Sequence, residues 1–424
     1  MSMPSLRRSF FGPRIVAAAF VAQFVSNAST LAPAGMFLTS LEAEFDTDAA
    51  TLSHGVGAAI LLMGLMSPLV GRWIDRGPQR AIMMGGACTL AAGLALASWA
   101  QSLWQLALAF CLVANLGYML VGPLPSVTLV SRWYVRHRGL AVAIAVAGAT
   151  LASALAPWLA ARWIEAWGWR NAMFGFAVAA AGLALPAFAL WVVGRPEDVG
   201  QHADGEARPA LEPEIEDEGS LANTLLRQRN FHLVAFGLAL LFTSPIITTV
   251  HLAPYAEKEL GLGKVEIAPF FVVLAIFSLV GKLVFGAVAD RVDPRHALAG
   301  TTLGTAVGWI FLMQDPGYGG FVALAALFGL GIGAAAPLQA VVLGRCFGRN
   351  AFGQVMGLSG LIGLPFIAGA NPVAGGLFVR TGSYASAFGL EAAALLVASL
   401  LFMLIRLPGV PAVLSVAPEA ESHA

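Results

Sequence analysis

Lys282 carries the most pointed chemistry in this chain. It stands inside an apolar run, eight residues before Asp290, which at 1.5 Å per residue puts its ammonium about 12 Å inward of the polar end of that run. A cation so placed costs roughly 3 kcal/mol even on lenient insertion scales, unless it meets water or an anion. The first half of the chain has no carboxylate at comparable depth, so the absent counter-ion can be a bound organic anion. Snorkelling, or pairing with another protein carboxylate, is the plainer alternative. His251 and Glu391 also lie in apolar runs, and intramembrane titratable groups are proton-coupling candidates. Each has a plainer reading: His251 as a hydrogen-bonded imidazole beside Pro254, Glu391 as a residue about two turns from a helix end.

Small polar residues interrupt several runs: Asn27 and Thr30, Asn115 and Tyr118, Thr248, Gln339 and Asn371. They are the candidate substrate contacts beside Lys282, although such groups also bond between helices for about 0.6 kcal/mol on average. Apolar neighbours such as Phe24, Leu31, Leu120 and Phe242 suit an aliphatic or aromatic tail. Cys88, Cys111 and Cys346 lack paired spacing, so neither a disulfide framework nor a metal site is expected, and no cofactor is implied.

The elements that must position these groups are set by composition. Apolar residues make up 58% of the chain and charged ones 11%, with a mean hydropathy of +0.78. Most of such a chain has lipid as its solvent. Runs long enough to cross fall near 14–40, 50–73, 80–99, 104–131, 138–163 and 170–194, then near 230–256, 266–289, 296–313, 319–344, 351–379 and 384–406. The expected fold is all-α, with twelve transmembrane helices in two six-helix bundles, 1–194 and 230–406. A linker at 195–229 and a tail at 407–424 complete it. The linker is rich in Pro, Gly and acid, including Glu212, Glu214, Glu216, Asp217 and Glu218, and reads as a solvated tether with a short helix near Leu221 to Leu226. With both termini cytoplasmic, 18 of the 24 basic residues fall on that side, as cytoplasmic loops favour. The first run could be misread as a secretory signal, but its loss would break the six-plus-six symmetry.

That symmetry is written into the charged residues. Gly71, Asp75, Arg76 and Arg80 recur as Gly286, Asp290, Arg291 and Arg295, at a constant offset of 215 residues. One multi-helix unit has been used twice, the sequence habit of transporters. Arg132 and Gly139 have counterparts in Arg345 and Gly353. Asp75 and Asp290 stand at helix ends, where they can accept hydrogen bonds from helix N-termini and arginines in one conformer only. Arg76, Arg80 and Arg132 are the expected partners of Asp75, and Arg291, Arg295 and Arg345 those of Asp290.

The loop Gly71-Arg-Trp-Ile-Asp75-Arg76-Gly77-Pro-Gln-Arg80 resembles the signature of the major facilitator superfamily. Phe37 to Phe45, Arg132-Trp-Tyr-Val-Arg-His-Arg138-Gly139 and Val250-His251-Leu-Ala-Pro254-Tyr255 resemble its bacterial monocarboxylate-porter and oxalate/formate-antiporter branch. The resemblance implies a monomeric carrier in the inner membrane, whose bundles rock about a central site to move a small organic anion, foremost a monocarboxylate, by proton symport or exchange. Lys282 stands where that branch carries a carboxylate-binding arginine, and Ser278 where the animal porters carry an aspartate. The first departure loosens geometry; the second removes one route for protons.

A multidrug or metabolite exporter of the same superfamily is the alternative. Its usual Gly-Pro-x-x-Gly-Gly element is absent at Pro157, although Pro372-Val-Ala-Gly375-Gly376 is related to it. An enzyme or sensor is remote, because no grouping of nucleophile, metal ligands or paired acids occurs in the spans and the linker is too short and polar for a sensor's output domain. No basic patch suits a nucleic acid.

Overall fold

The computed structural model describes residues 10–47, 49–206 and 221–407. The acidic centre of the expected linker and nearly all of the expected tail lie outside the described residues. Sixteen α-helices are present, with no strand among the described residues. Ten helical stretches are long and apolar enough to cross a membrane. Two adjustments bring the crossings to twelve. The 54-residue stretch Arg138–Trp191 (α8) is broken at Gly168, whose φ of 77° only glycine adopts readily, so it supplies two antiparallel spans. Helix α13, Pro294–Leu312, is long enough but less apolar, with Thr301, Thr302 and Thr305 bonding back to carbonyls of their own helix.

Three spans are discontinuous. The first consists of α1, Gly12–Ser29, and α2, Ala34–Phe45, separated by a turn. The fourth contains α5, Leu103–Ala107, a π-helical segment, Leu108–Ala114, and α6, Asn115–Val121, before α7, Pro123–Trp133. The seventh breaks at Phe242, between α10, Arg229–Leu241, and α11, Thr243–Lys258. The remaining spans are α3, Ala49–Arg76; α4, Gln79–Ser98; α12, Lys264–Ala289; α14, Gly317–Phe347; α15, Phe352–Thr381; and α16, Ala385–Met403. A short α9, Leu221–Arg227, precedes α10.

Burial separates two cores. One gathers residues of the first half from Ile15 to Val192, the other mainly residues of the second half from Leu225 to Ile405. Within the bundles α1 and α4 pack on α8, and α12 packs on α14. Between them α3 packs on α15 and α8 on α12, so span two meets span eleven and span five meets span eight. The duplication persists in detail: Glu44 bonds Arg170 at the start of span six, and Glu259, 215 residues later, accepts from Ser383 and the Tyr384 amide before span twelve.

The segment after α8 is less free than a solvated tether. Residues 196–206 form two short 3-10 turns with Pro196 and Ala203 buried, because the Gln201 side chain accepts from the Phe11 amide and Phe10 lies against Gly205.

Candidate functional site

Near-side is used below for the membrane face where α1 begins and α16 ends, far-side for the other. At the near side each signature aspartate crosses to the opposite bundle. Asp75 Oδ1 accepts the Gly353 amide at 3.0 Å and Oδ2 the Gln354 amide at 2.7 Å, both at the start of α15. Asp290 Oδ1 accepts the Gly139 amide at 2.7 Å and Oδ2 the Leu140 amide at 3.0 Å, both at the start of α8. Helix N-termini present unpaired N–H groups and partial positive charge, so carboxylates dock there. The signature glycines allow the approach: a methyl on Gly71 would strike the Gly353 carbonyl, and one on Gly139 the Gly286 carbonyl.

The arginines are arranged differently from the sequence expectation. Asp75 does pair with Arg132, at 3.0 Å, both side chains about 5% exposed, and Arg132 also donates to Gln79 and the Ile74 carbonyl. Arg80 instead donates to the Ala189 carbonyl. Arg138 and His137 act on the charge of Asp290, whereas Arg295 pairs with Asp293 at 2.6 Å and caps the Ile405 carbonyl. The two oxygens of Asp290 take amides of the other bundle, and no hydrogen bond or ion pair from Arg291 or Arg345 to Asp290 is found among the described residues. Asp290, just beyond the end of α12, is held above the usual carboxylate range by burial, opposed by those two amides.

Two cross-bundle contacts were not legible from residue types. Arg138 is 1% exposed; it donates to the Tyr134 and Ser131 carbonyls and lies directly against Gly344 of α14. Arg349 pairs with Glu197 at 2.7 Å and donates to the Arg132 carbonyl. In the sequence Arg138 belongs to the motif before span five and Arg349 is one of the basic residues of the cytoplasmic side, with no sign of these contacts.

With the near side shut, a cavity of about 860 Å³ lies on the far side, lined from both halves. Its walls include Phe37, Leu61, Phe110, Met173, Ile246 and Ile367, and its polar lining includes Ser29, Thr30, Thr51, Trp104, Cys111 and Asn371. The breaks in spans one and four form part of this wall, in keeping with discontinuous helices at transporter sites. Of the expected substrate contacts, Thr30 and Asn371 line it. Asn27, Asn115, Tyr118, Thr248 and Gln339 do not, nor does Lys282. Asn115 donates to the Ala59 carbonyl at 3.0 Å, a tie between helices. Thr248 is fully buried and its hydroxyl has no partner among the described residues.

Lys282 is half-buried on α12. Its Nζ donates to Ser278 Oγ at 3.0 Å, one turn away, and no carboxylate pairs with it among the described residues. The residue four places on, Gly286, touches Gly139 of the other bundle, so Lys282 lies one turn from the closed interface. The candidate proton groups separate. His251 packs on Tyr384 and its Nε2 lies 3.3 Å from the carbonyl of cavity-lining Asn371. Glu391, 3% exposed, accepts from Thr243 at the break in span seven. It is buried within its bundle rather than set at the periphery.

The fold is that of a multi-pass membrane carrier with two duplicated bundles and a cavity open to one side. The family model of the Major Facilitator Superfamily matches residues 16–313 and 254–423, and the chain belongs to that superfamily. Monocarboxylate transporter 13 of Bos taurus is 30% identical over 383 residues, spanning 88% of this chain and 84% of the relative. The MFS-type transporter YcxA of Bacillus subtilis is 24% identical over 356 residues, 81% of this chain and 82% of the relative. Among solved structures, a bacterial homologue of the iron transporter ferroportin, in an outward-facing state, superimposes with a TM-score of 0.71 at 16% identity, covering 93% of this chain and 98% of that one. The fucose:proton symporter of E. coli gives 0.71 at 15% identity, covering 95% and 100%. The protein is a transporter, not an enzyme, and its partners are a small-molecule substrate and the lipid bilayer.

Proposed function

We propose that this transporter moves a small organic anion, foremost a monocarboxylate, across the cytoplasmic membrane by alternating access. The observation that carries the reading is Lys282, a cation inside span eight whose one partner among the described residues is the neutral Ser278 hydroxyl. A desolvated ammonium without a protein anion is a site for a carboxylate. Relatives named monocarboxylate transporters support the substrate class. In this reading the anion enters by the far-side cavity, and the Asp75 and Asp290 contacts are the gate, with Gly71, Arg76, Arg80, Arg132, Gly286, Arg291, Arg295 and Arg345 forming its two signature loops.

In this reading the chain lies in a bacterial inner membrane as a monomer with both termini cytoplasmic, so the closed near side is cytoplasmic. The excess of arginine there supports the orientation. The bundles are 1–194 and 230–406, joined by 195–229. Coupling is by proton symport or anion exchange, with His251, whose ring lies against the carbonyl of cavity-lining Asn371, and Glu391 the candidate proton groups. The test is uptake of labelled monocarboxylates into proteoliposomes, with and without a pH gradient. Stimulation by an inward proton gradient marks symport, and stimulation by internal anion marks exchange; no uptake of any monocarboxylate rejects the reading.

One observation favours the exporter alternative. Among the described residues the cavity lining contains no charged side chain, which suits a lipophilic cargo. Accumulation of such compounds in cells lacking the protein, with no anion uptake, is the result that supports it.

A further inference from the structure

The start of α8 is shared by two carboxylates from different parts of the chain. Asp204, in the folded segment after span six, accepts the backbone N–H groups of Val135 at 2.9 Å, Arg136 at 2.8 Å and His137 at 3.3 Å. Its side chain is 5% exposed, and the ring of His137 lies 3.4 Å away. The N–H groups just past Arg138, those of Gly139 and Leu140, are the ones Asp290 takes from the opposite bundle. Asp204 adopts a φ of 56°, a backbone conformation uncommon outside glycine but tolerated by aspartate. Its neighbours fix it there: Phe10 packs on Gly205 and on Tyr134, and Gln201 holds the Phe11 amide.

The two gates differ in what supports them. Asp75 has the buried Arg132 guanidinium as well as its two amides. Asp290 takes its hydrogen bonds from two amides of the α8 start, with His137 and Arg138 of the same stretch acting on its charge, so its contact depends on how the start of α8 is aimed. A loop of unpaired N–H groups samples many orientations, whereas one whose preceding three amides are fixed presents the next two in a single direction.

We propose that Asp204 is a positioning residue for the near-side closure: by holding the amides of residues 135–137 it aims those of Gly139 and Leu140 at Asp290. This inference rests on the reading of the Asp75 and Asp290 contacts as an alternating gate. The segment following span six is then part of the gate rather than slack between the bundles.

The native Cys111 lines the far-side cavity and reports its access in full-length protein carrying Cys88→Ser and Cys346→Ala. In proteoliposomes the rate of its labelling by a membrane-impermeant maleimide applied to the far side measures the near-side-closed population. Asp204→Ala is expected to slow labelling about five-fold, with Asp204→Asn intermediate. In the Asp290→Asn background the same change is expected to have little further effect, because both act on one helix start. If Asp204→Ala fails to fold, Asp204→Asn carries the test. Unchanged labelling in both variants while Asp75→Asn slows it, or a slowing that multiplies undiminished in the Asp290→Asn background, overturns the positioning role. Unchanged labelling in Asp75→Asn as well overturns the gate reading, and this inference falls with it.

Discussion

The carboxylate of Asp75 and the backbone amide of Gln354, 279 positions apart in the chain, meet at 2.7 Å across the boundary between the two bundles. Asp290 and Gly139 meet at the same distance on the other side of the pseudo-twofold relation. Each half therefore donates one acid and one helix start. In the proposed alternating cycle such a contact forms only while the near side is closed, which is the conformational role proposed for the duplicated signature.

Adding a side chain where backbones touch blocks that closure. Gly71→Val and Gly139→Val place methyl groups against the carbonyls of Gly353 and Gly286, and overpacking of this kind costs about 1–3 kcal/mol. Each variant is expected to label more slowly at Cys111 from the far side and to transport at a fraction of the native rate, whereas valine at Gly300, which faces open space, does neither.

Asp75→Asn leaves Arg132 buried without its counter-charge, since the pair is about 5% exposed on both sides. Breaking a buried pair from one side costs roughly 3–5 kcal/mol. The expected outcome is a lower thermal midpoint together with loss of the near-side-closed conformer, read by thermal unfolding and by cysteine accessibility. Retention of both properties contradicts the gate.

Asp290 gives the closure a pH dependence. Burial raises its carboxyl above the ordinary value, outweighing the amides of Gly139 and Leu140. A raised group binds its proton more tightly in the closed state than when exposed. Its contribution to closure is therefore fully present below the ordinary carboxylate value and declines as pH rises through the raised one. Far-side labelling of Cys111, corrected for thiol ionisation, is expected to fall over that window in the native protein and to be flatter in Asp290→Asn.

The cavity should sort anions by their tails. Its walls are mostly apolar, with Phe110, Phe176, Leu61 and Ile367 among them, and each buried methylene is worth about 0.8 kcal/mol, close to four-fold in affinity. Competition by straight-chain monocarboxylates is expected to strengthen with chain length until the cavity is filled. Substituting Phe110→Ser should flatten the series.

Much of this was legible in the sequence because it rests on residue type. The apolar runs set the spans, Lys282 stood out against them, and the paired signatures gave the duplication. The helix starts that receive Asp75 and Asp290 were not legible, since any non-proline residue offers an N–H; Gly139 and Gly353 marked them only as repeat counterparts. Charge alone assigns the loop arginines to the aspartates, and geometry keeps Arg132 with Asp75 but takes Arg80 and Arg295 elsewhere. Glu391 was placed by its distance from a helix end, which says nothing of which face it turns inward. Asp204 was one acid among many in a polar stretch, and only its three amide contacts set it apart.

The central claim is that Lys282 binds the transported anion, and binding of a labelled monocarboxylate to purified native, Lys282→Arg and Lys282→Ala proteins tests it most directly. The account predicts affinity reduced roughly 30-fold or more in Lys282→Ala, the cost of truncating one member of a buried charge pair, with Lys282→Arg retaining most of it. Native affinity in a folded Lys282→Ala protein would contradict the account.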